Sequence, residues 1–77
     1  MAGSLSQLSN VGLVEHGDRA VVEEHSNGIR ILEILVELER RSLHLEQGYS
    51  SLFDYCTRRW RYSSSKAGRY IAAARAM

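Results

Sequence analysis

The chain has 77 residues, which is enough for one small domain with a single hydrophobic core. It contains no proline and one cysteine, Cys56, so an internal disulfide is excluded and the composition favours an all-helical fold. No apolar run approaches the roughly 20 residues of a membrane span, and the N-terminus lacks the basic and then apolar pattern of a signal peptide. The sequence therefore predicts a cytoplasmic protein that does not enter a membrane.

The net charge of +1 is unevenly distributed along the chain. Residues 1–57 carry four arginines and nine acidic residues, a net charge of −5. Residues 58–77 carry five arginines, one lysine and no acidic residue, a net charge of +6. A short basic block of this kind is typical of proteins that bind a polyanion. A solvated tail that raises solubility is the alternative, and the overlap of the block with a helical pattern favours the polyanion.

Residues 1–17 give the weakest structural pattern. Their apolar residues recur with the spacing of a helix face, but Gly12 and Gly17 oppose a helix by about 1 kcal/mol each. We expect a short, frayed helix in a weakly ordered N-terminal segment over residues 1–17, and a single helical domain over residues 18–77.

The domain begins with a predicted helix over residues 19–25. Asp18 is suited to cap its first turn, and residues 26–28 form a turn signal that ends it. The longest predicted helix follows over residues 29–47, with apolar residues at spacings of three, four and seven. Gly48 lies where a terminating glycine is expected.

Two short predicted helices, over residues 51–60 and 64–76, complete the chain. Ser50 or Ser51 is suited to cap the first, and Ser63 to cap the second. Small inward-facing residues such as Ala67 allow the two helices to pack closely, as in a helix-turn-helix unit. The sequence thus predicts an all-α bundle of three to four helices that ends in a helix-turn-helix.

The basic block overlaps the second half of this unit. The first turn of the helix over 64–76 offers hydroxyl and backbone N–H groups that suit a phosphate, and its longer side chains suit base edges in a major groove. The arginines that end the helix over 51–60 suit phosphate binding or simply complement the helix dipole. Within the set, recognition is expected above all from Lys66, Arg69 and Arg75. The candidate nucleic-acid-binding residues are Arg58, Arg59, Arg61, Ser64, Ser65, Lys66, Arg69, Tyr70 and Arg75.

Some eye-catching residues in this region are better explained by structure than by chemistry. Trp60 and Tyr62 invite a base-stacking interpretation. The helical spacing of Trp60 from Cys56 and Phe53 instead predicts packing in the core or at its rim, and Tyr62 is expected to be a packing residue with an exposed hydroxyl. Whether Ser64 and Ser65 act as helix caps or as ligand contacts stays open. Cys56, among aromatic residues, is expected to be a buried small hydrophobe.

The sequence offers little for catalysis or for a cofactor. The soft metal ligands are His16, His25, His44 and Cys56, and their spacings of nine, nineteen and twelve match no compact zinc pattern. No glycine-rich phosphate loop is present. We therefore expect no metal, no cofactor and no enzymatic activity.

The second half of the chain carries a dense pattern of residues. They are Glu39, Arg40, Arg41, Gly48-Tyr49-Ser50-Ser51-Leu52-Phe53-Asp54-Tyr55-Cys56, Arg58, Arg59, Tyr62, Ser63, Ala67, Arg69, Ile71, Ala73, Ala74 and Arg75. This pattern resembles the helical domain that precedes the nuclease module in a group of bacterial HNH endonucleases, over about residues 36–76. The resemblance implies an all-helical module that presents DNA to a nuclease. It does not imply cleavage, because the His-Asn-His metal-binding motif is not in this sequence.

The sequence departs from the family pattern at four positions. The family pattern implies an aliphatic residue at Trp60, an acid at Ser64, an alanine at Lys66 and a basic residue at Tyr70. The departures at Ser64 and Lys66 make the start of the last helix more basic, which favours an anionic partner. The departure at Tyr70 replaces one basic DNA contact that the family pattern implies with a tyrosine.

Two functions from different classes follow from the sequence. The first is a non-catalytic helix-turn-helix module that binds duplex DNA, with DNA and RNA not distinguished. The second is a protein-interaction module or small regulator, because the helix over 29–46 has a broad apolar surface for a protein partner or a second copy of the chain. The two are compatible, since many helix-turn-helix proteins dimerise.

Overall fold

The computed structural model describes residues 4–23 and 28–77. In chain order the helices are α1 (Ser4–Gln7), α2 (Asn10–Val22), α3 (Gly28–Arg40), α4 (Leu43–Glu46), α5 (Leu52–Asp54) with a π-helical turn (Tyr55–Arg59), and α6 (Ser64–Arg75). The described residues contain no strand, so the predicted all-α fold is confirmed.

Helix α2 begins much earlier than the sequence predicted. The side chain of Ser9 accepts a hydrogen bond from the backbone N–H of Gly12 at 3.0 Å and caps a helix that runs on through Gly17 and Asp18. The predicted start of a helix at residue 19, with Asp18 as its cap, is therefore wrong. Residues 24–27, which include the predicted helix end and most of the turn signal, lie outside the described residues.

The helix continues through Gly17 because close packing at this position stabilises it. A Cβ atom at Gly17 would lie 3.2 Å from Cζ2 of Trp60 and 3.3 Å from Cγ2 of Ile34. The glycine thus lets α2 approach α3 and the tryptophan closely, and this packing outweighs its poor helix propensity. Leu13 and Val14 on the same helix are buried in the core. The predicted boundary between residues 17 and 18 falls inside α2, and weak order of residues 1–17 in solution stays a prediction.

Helix α3 is the central element and packs against α1, α2, α4 and α6. It ends at Arg40 rather than at the predicted residue 47, because Ser42 adopts the left-handed conformation with φ 53°. The break redirects the chain so that Leu43 at the start of α4 is fully buried, while Leu45 stays 54% exposed. Gly48, with φ 92°, follows α4 as the predicted terminating glycine.

Arg41 holds α1 against α3. Its guanidinium donates to the carbonyl oxygens of Leu5 and Ser6 at 3.0 and 3.2 Å, where a cation complements the last turn of α1. It also donates to the carboxylate of Glu37 at 2.8 Å, and Glu37 pairs with Arg40 as well. A buried carboxylate is thereby satisfied by two arginines.

Helices α5 and α6 and the residues between them form the predicted helix-turn-helix. Ser51 and Ser63 cap the two helices, accepting from the backbone N–H groups of Asp54 and Lys66 at 3.0 and 3.2 Å. The π-helical turn was not predicted. It is marked by a hydrogen bond from the N–H of Trp60 to the carbonyl of Tyr55, five residues earlier, at 3.4 Å.

Candidate nucleic-acid interface

A chain of aromatic rings supports the helix-turn-helix from within. Neighbouring ring centroids lie 5.1 to 5.6 Å apart, most of them edge to face. Each such pair contributes about 0.5–1.5 kcal/mol beyond the burial of its surface. The rings, in order, belong to Tyr49, Tyr55, Trp60, Tyr62 and Tyr70. Because the chain of rings runs from the segment before α5 into α6, it fixes the two helices relative to each other.

Burial of these rings shows whether Trp60 and Tyr62 are available for base stacking. Trp60 is 5% exposed and Tyr62 is 7% exposed, which confirms that both are core residues rather than base-stacking platforms. Burial also raises the pKa of the Tyr55 hydroxyl to about 12. It raises the pKa of the Cys56 thiol to about 12 as well, so this buried thiol is not a nucleophile near neutral pH.

Within residues 4–23 and 28–77, carboxylates of the chain engage three of the six basic side chains in the block. Arg59 donates to both oxygens of Asp18, and Asp18 is the main reason that the pKa of Arg59 is raised. The other two pairs are exposed, with nitrogen–oxygen distances of 3.2 and 2.9 Å. They are Arg58 with Asp54, and Arg75 with Glu39. These pairs within the described residues reduce the positive charge that the block offers to a ligand.

The three pairs differ in how easily a phosphate could replace the carboxylate. The guanidinium of Arg59 is partly buried and lies over the ring of Tyr55, 5.8 Å from its centroid, so this pair is mainly structural. The arginine side chains of the other two pairs are exposed, by 65% for Arg58 and 59% for Arg75. Exposed pairs of this kind contribute about 0–1 kcal/mol, so a phosphate can exchange with the carboxylate at low energetic cost.

Arg61 and Arg69 stand apart from these pairs. Both are exposed, and neither forms an ion pair or a side-chain hydrogen bond within residues 4–23 and 28–77. Arg61 has φ 64° and ends the π-helical turn in the left-handed conformation. Lys66 is half-buried, with its ammonium 4.4 Å from the ring centroid of Tyr62. Arg61 precedes α6, Lys66 lies in its first turn and Arg69 lies in its second turn.

The first turn of α6 is open. The cap is Ser63, and the side chains of Ser64 and Ser65 are exposed without a hydrogen bond to any described residue. The structure therefore shows that neither serine caps the helix. Further along the exposed face the side chains are small, and a Cβ atom at Gly68 would meet nothing within 4 Å.

Tyr70 lies beside the cations of α6, with its ring centroid 5.8 Å from the ammonium of Lys66, whereas Arg75 lies apart from them. The ring of Tyr70 packs on Tyr62 at 5.5 Å, and its hydroxyl would lie 3.3 Å from a Cβ atom at Gly28. Tyr70 is thus a packing residue between α6 and α3. Arg75 lies about 9 Å further along α6 than Arg69.

The sequence did not indicate the acidic partners of the arginines. Asp54 precedes Arg58 by four residues, a spacing that is readable as an ion pair on a helix. Asp18 and Glu39 are 41 and 36 residues from their partners, and no local pattern could have identified them.

Comparison of the chain with protein-family models, with curated proteins and with solved structures gives no match. The resemblance to the helical domain of HNH endonucleases therefore stays a prediction. Among the described helices, none has the length and apolar character to cross a membrane. The described residues also contain no cluster of three or more His, Cys, Asp or Glu side chains arranged for a metal ion.

Proposed function

We propose that this chain is a non-catalytic helix-turn-helix module that binds duplex DNA through the start of α6. The observation that carries the proposal is the presence of Arg61, Lys66 and Arg69 within and just before the first two turns of α6, with no acidic residue in positions 58–77. Backbone N–H groups at the start of a helix and nearby cations are the groups that bind DNA phosphates. The exposed hydroxyls of Ser64 and Ser65 add two hydrogen-bond donors at the same place.

Duplex DNA fits this surface better than single strands do. Proteins that bind single strands stack bases on exposed aromatic rings, and here Trp60 and Tyr62 are buried. The small side chains along the exposed face of α6 leave room for its backbone to approach a groove. As the family resemblance implies, the module would present DNA to a nuclease of the HNH type, and a bacterial, cytoplasmic setting belongs to the same proposal.

A titration of labelled duplex DNA by fluorescence anisotropy tests the proposal. Three cations on phosphates predict a plot of log affinity against log salt concentration with a slope of about −2.7. The slope steepens toward about −4.5 if Arg58 and Arg75 exchange their carboxylates for phosphates. Single-stranded DNA and duplex RNA of the same length serve as comparisons, and we expect weaker binding to both. Failure to bind any duplex at low salt would refute the proposal.

A second candidate function is the binding of a protein partner through the 29–46 segment. It is supported by two exposed apolar residues on α3, Ile29 and Val36, which lie seven residues apart and hence on one face of the helix. This function does not require DNA.

A further inference from the structure

An apolar groove runs between α3 and α6, beside the proposed DNA surface. Its volume is about 380 Å³, and its walls come from Ile29 and Leu32 on α3 and from Tyr70 and Ala73 on α6. A second groove, of about 330 Å³, continues along α3 with Val36, Leu5 and Met77 in its walls. Together they form one strip, which we call the α3–α6 strip.

The side chains of α3 explain why this strip is apolar. Ile29, Leu32 and Val36 follow each other at helical spacing on one face of α3, where Leu32 is partly buried against the core and the other two are exposed. Ile29 is 61% exposed and Val36 is 39% exposed, whereas Ile31, Ile34, Leu35 and Leu38 on the opposite face are fully buried. Helix α3 is thus apolar on two faces, and only one of them faces the core.

The charges beside the strip are complementary but are not paired within the chain. Glu33 is a wall residue on the α3 side, and Arg69 is a wall residue on the α6 side. Neither forms an ion pair or a side-chain hydrogen bond within the described residues. A surface that carries one unpaired acid and one unpaired base on opposite sides of an apolar strip is complementary to itself.

We infer that the α3–α6 strip binds a second copy of this chain. A two-fold axis places the same surface on both partners, so Glu33 of each chain faces Arg69 of the other, and two equivalent ion pairs close over the apolar residues. A standard specific interface covers about 800 Å² of each partner. That is about one sixth of the 4709 Å² surface of this chain, and the strip is smaller. The expected product is therefore a weak, concentration-dependent dimer with a Kd in the micromolar range or above.

The dimer and the proposed DNA complex share one residue. Arg69 is needed for the ion pair with Glu33 of the second copy and also belongs to the cations at the start of α6. Self-association and DNA binding therefore compete for Arg69, and added duplex DNA should shift the dimer toward monomer.

Sedimentation equilibrium of the full chain without DNA tests the inference. We expect a monomer–dimer equilibrium in which Val36→Glu raises the dissociation constant by at least about tenfold. Leu45→Glu is the matched control, because Leu45 is at least as exposed as Val36 but lies on α4, away from the strip. Glu33→Arg and Arg69→Glu should each weaken the dimer, and the double exchange should restore it to within about threefold of the original affinity. Circular dichroism checks that each variant keeps its helical content.

Several results would overturn the inference. They are a monomer at every concentration up to the millimolar range, equal effects of Val36→Glu and Leu45→Glu, and a double charge exchange that does not recover the dimer. Because these measurements contain no DNA, their failure leaves the DNA-binding proposal untouched. Conversely, a dimer that forms normally while no duplex binds would refute only the DNA proposal.

Discussion

Arg59 donates two hydrogen bonds to the carboxylate of Asp18, at 3.0 and 2.8 Å, across 41 positions of sequence. Two parallel N–H to oxygen bonds define both the distance and the orientation of the partners. The pair connects α2 to the end of the π-helical turn, next to Trp60, which itself packs on Gly17 of α2. One contact therefore anchors the helix-turn-helix on the rest of the bundle and at the same time removes a positive charge from the proposed DNA surface.

Asp18→Asn should lower stability and raise DNA affinity. The neutral amide cannot accept two charge-assisted bonds, and we expect a loss of about 1 kcal/mol in the free energy of unfolding, because the pair is partly exposed. The released Arg59 adds one cation near the DNA, so affinity at low salt rises. Urea denaturation and anisotropy titrations measure the two effects. Glu15→Gln on the exposed side of α2 makes the same charge change without breaking a pair, and equal behaviour of the two variants would contradict the prediction.

Arg61→Gly should stabilise the fold and weaken DNA binding. Arg61 has φ 64°, a left-handed conformation that costs an arginine about 1 kcal/mol and costs glycine much less. The variant should therefore unfold at a higher urea concentration. Loss of its charge should weaken duplex binding and make the salt slope shallower by about 0.9. Arg61→Ala is the control, since it loses the same charge but keeps the backbone penalty. If both variants bind duplex DNA as tightly as the unmodified chain, Arg61 is not a contact.

Arg69→Ala should weaken duplex binding more than Arg19→Ala does. Both arginines are exposed, and neither has a partner among the described residues, but Arg19 lies on α2. Equal losses would indicate a general effect of net charge rather than a surface at α6. A loss confined to Arg69→Ala, with unchanged thermal unfolding of both variants, is the expected result.

The all-α fold could be predicted from the periodicity of apolar residues and from capping residues in the sequence. Ser63 was predicted correctly as a cap, and Ser51 is the one of the two candidates, Ser50 and Ser51, that caps α5, because a cap depends only on its own helix. The break at Ser42 could not be predicted in this way. It uses a left-handed serine, and the gain from burying Leu43 depends on elements that are distant in sequence.

The sequence indicated which basic residues make up the candidate site, but not which of them are paired with carboxylates. The sequence places six of the ten basic residues in one block, yet the chain itself supplies carboxylates to Arg58, Arg59 and Arg75. Two of those carboxylates come from α2 and α3, so only the three-dimensional packing identifies them.

The two helical glycines Gly17 and Gly68 should respond in opposite directions to alanine. At Gly68 a Cβ atom meets nothing within 4 Å, so Gly68→Ala gains helix propensity and stabilises the fold by about 0.5–1 kcal/mol. At Gly17 the new Cβ is crowded by Trp60 and Ile34, two rigid core side chains. Overpacking costs about 1–3 kcal/mol, so Gly17→Ala is expected to be destabilising by about 1 kcal/mol net. Urea midpoints that rise in both variants would show that α2 can move away from the core.

Glu37 should make the fold sensitive to acid. Its hydrogen bond with Arg40, aided by Arg41, holds the pKa of the Glu37 carboxyl below its ordinary value, although burial opposes this. The stabilisation is therefore fully present above the pKa of the unfolded chain, about 4.3, and is lost as the pH falls through the lower pKa of the folded state.

Glu37→Gln tests this prediction by removing the carboxyl group whose titration makes the free energy of unfolding depend on pH. The variant should be less stable at neutral pH, because Arg40 and Arg41 lose their carboxylate, and its stability should decline less between about pH 4.5 and the acid limit. Asp54, whose pKa is also lowered, chiefly by the backbone N–H of Ser50, continues to titrate in this range. Some acid sensitivity therefore remains in the single variant and should diminish further in Glu37→Gln/Asp54→Asn. Urea unfolding followed by circular dichroism across this pH range provides the measurement. A Glu37→Gln profile parallel to that of the unmodified chain would show that the carboxylate adds no pH-dependent stability.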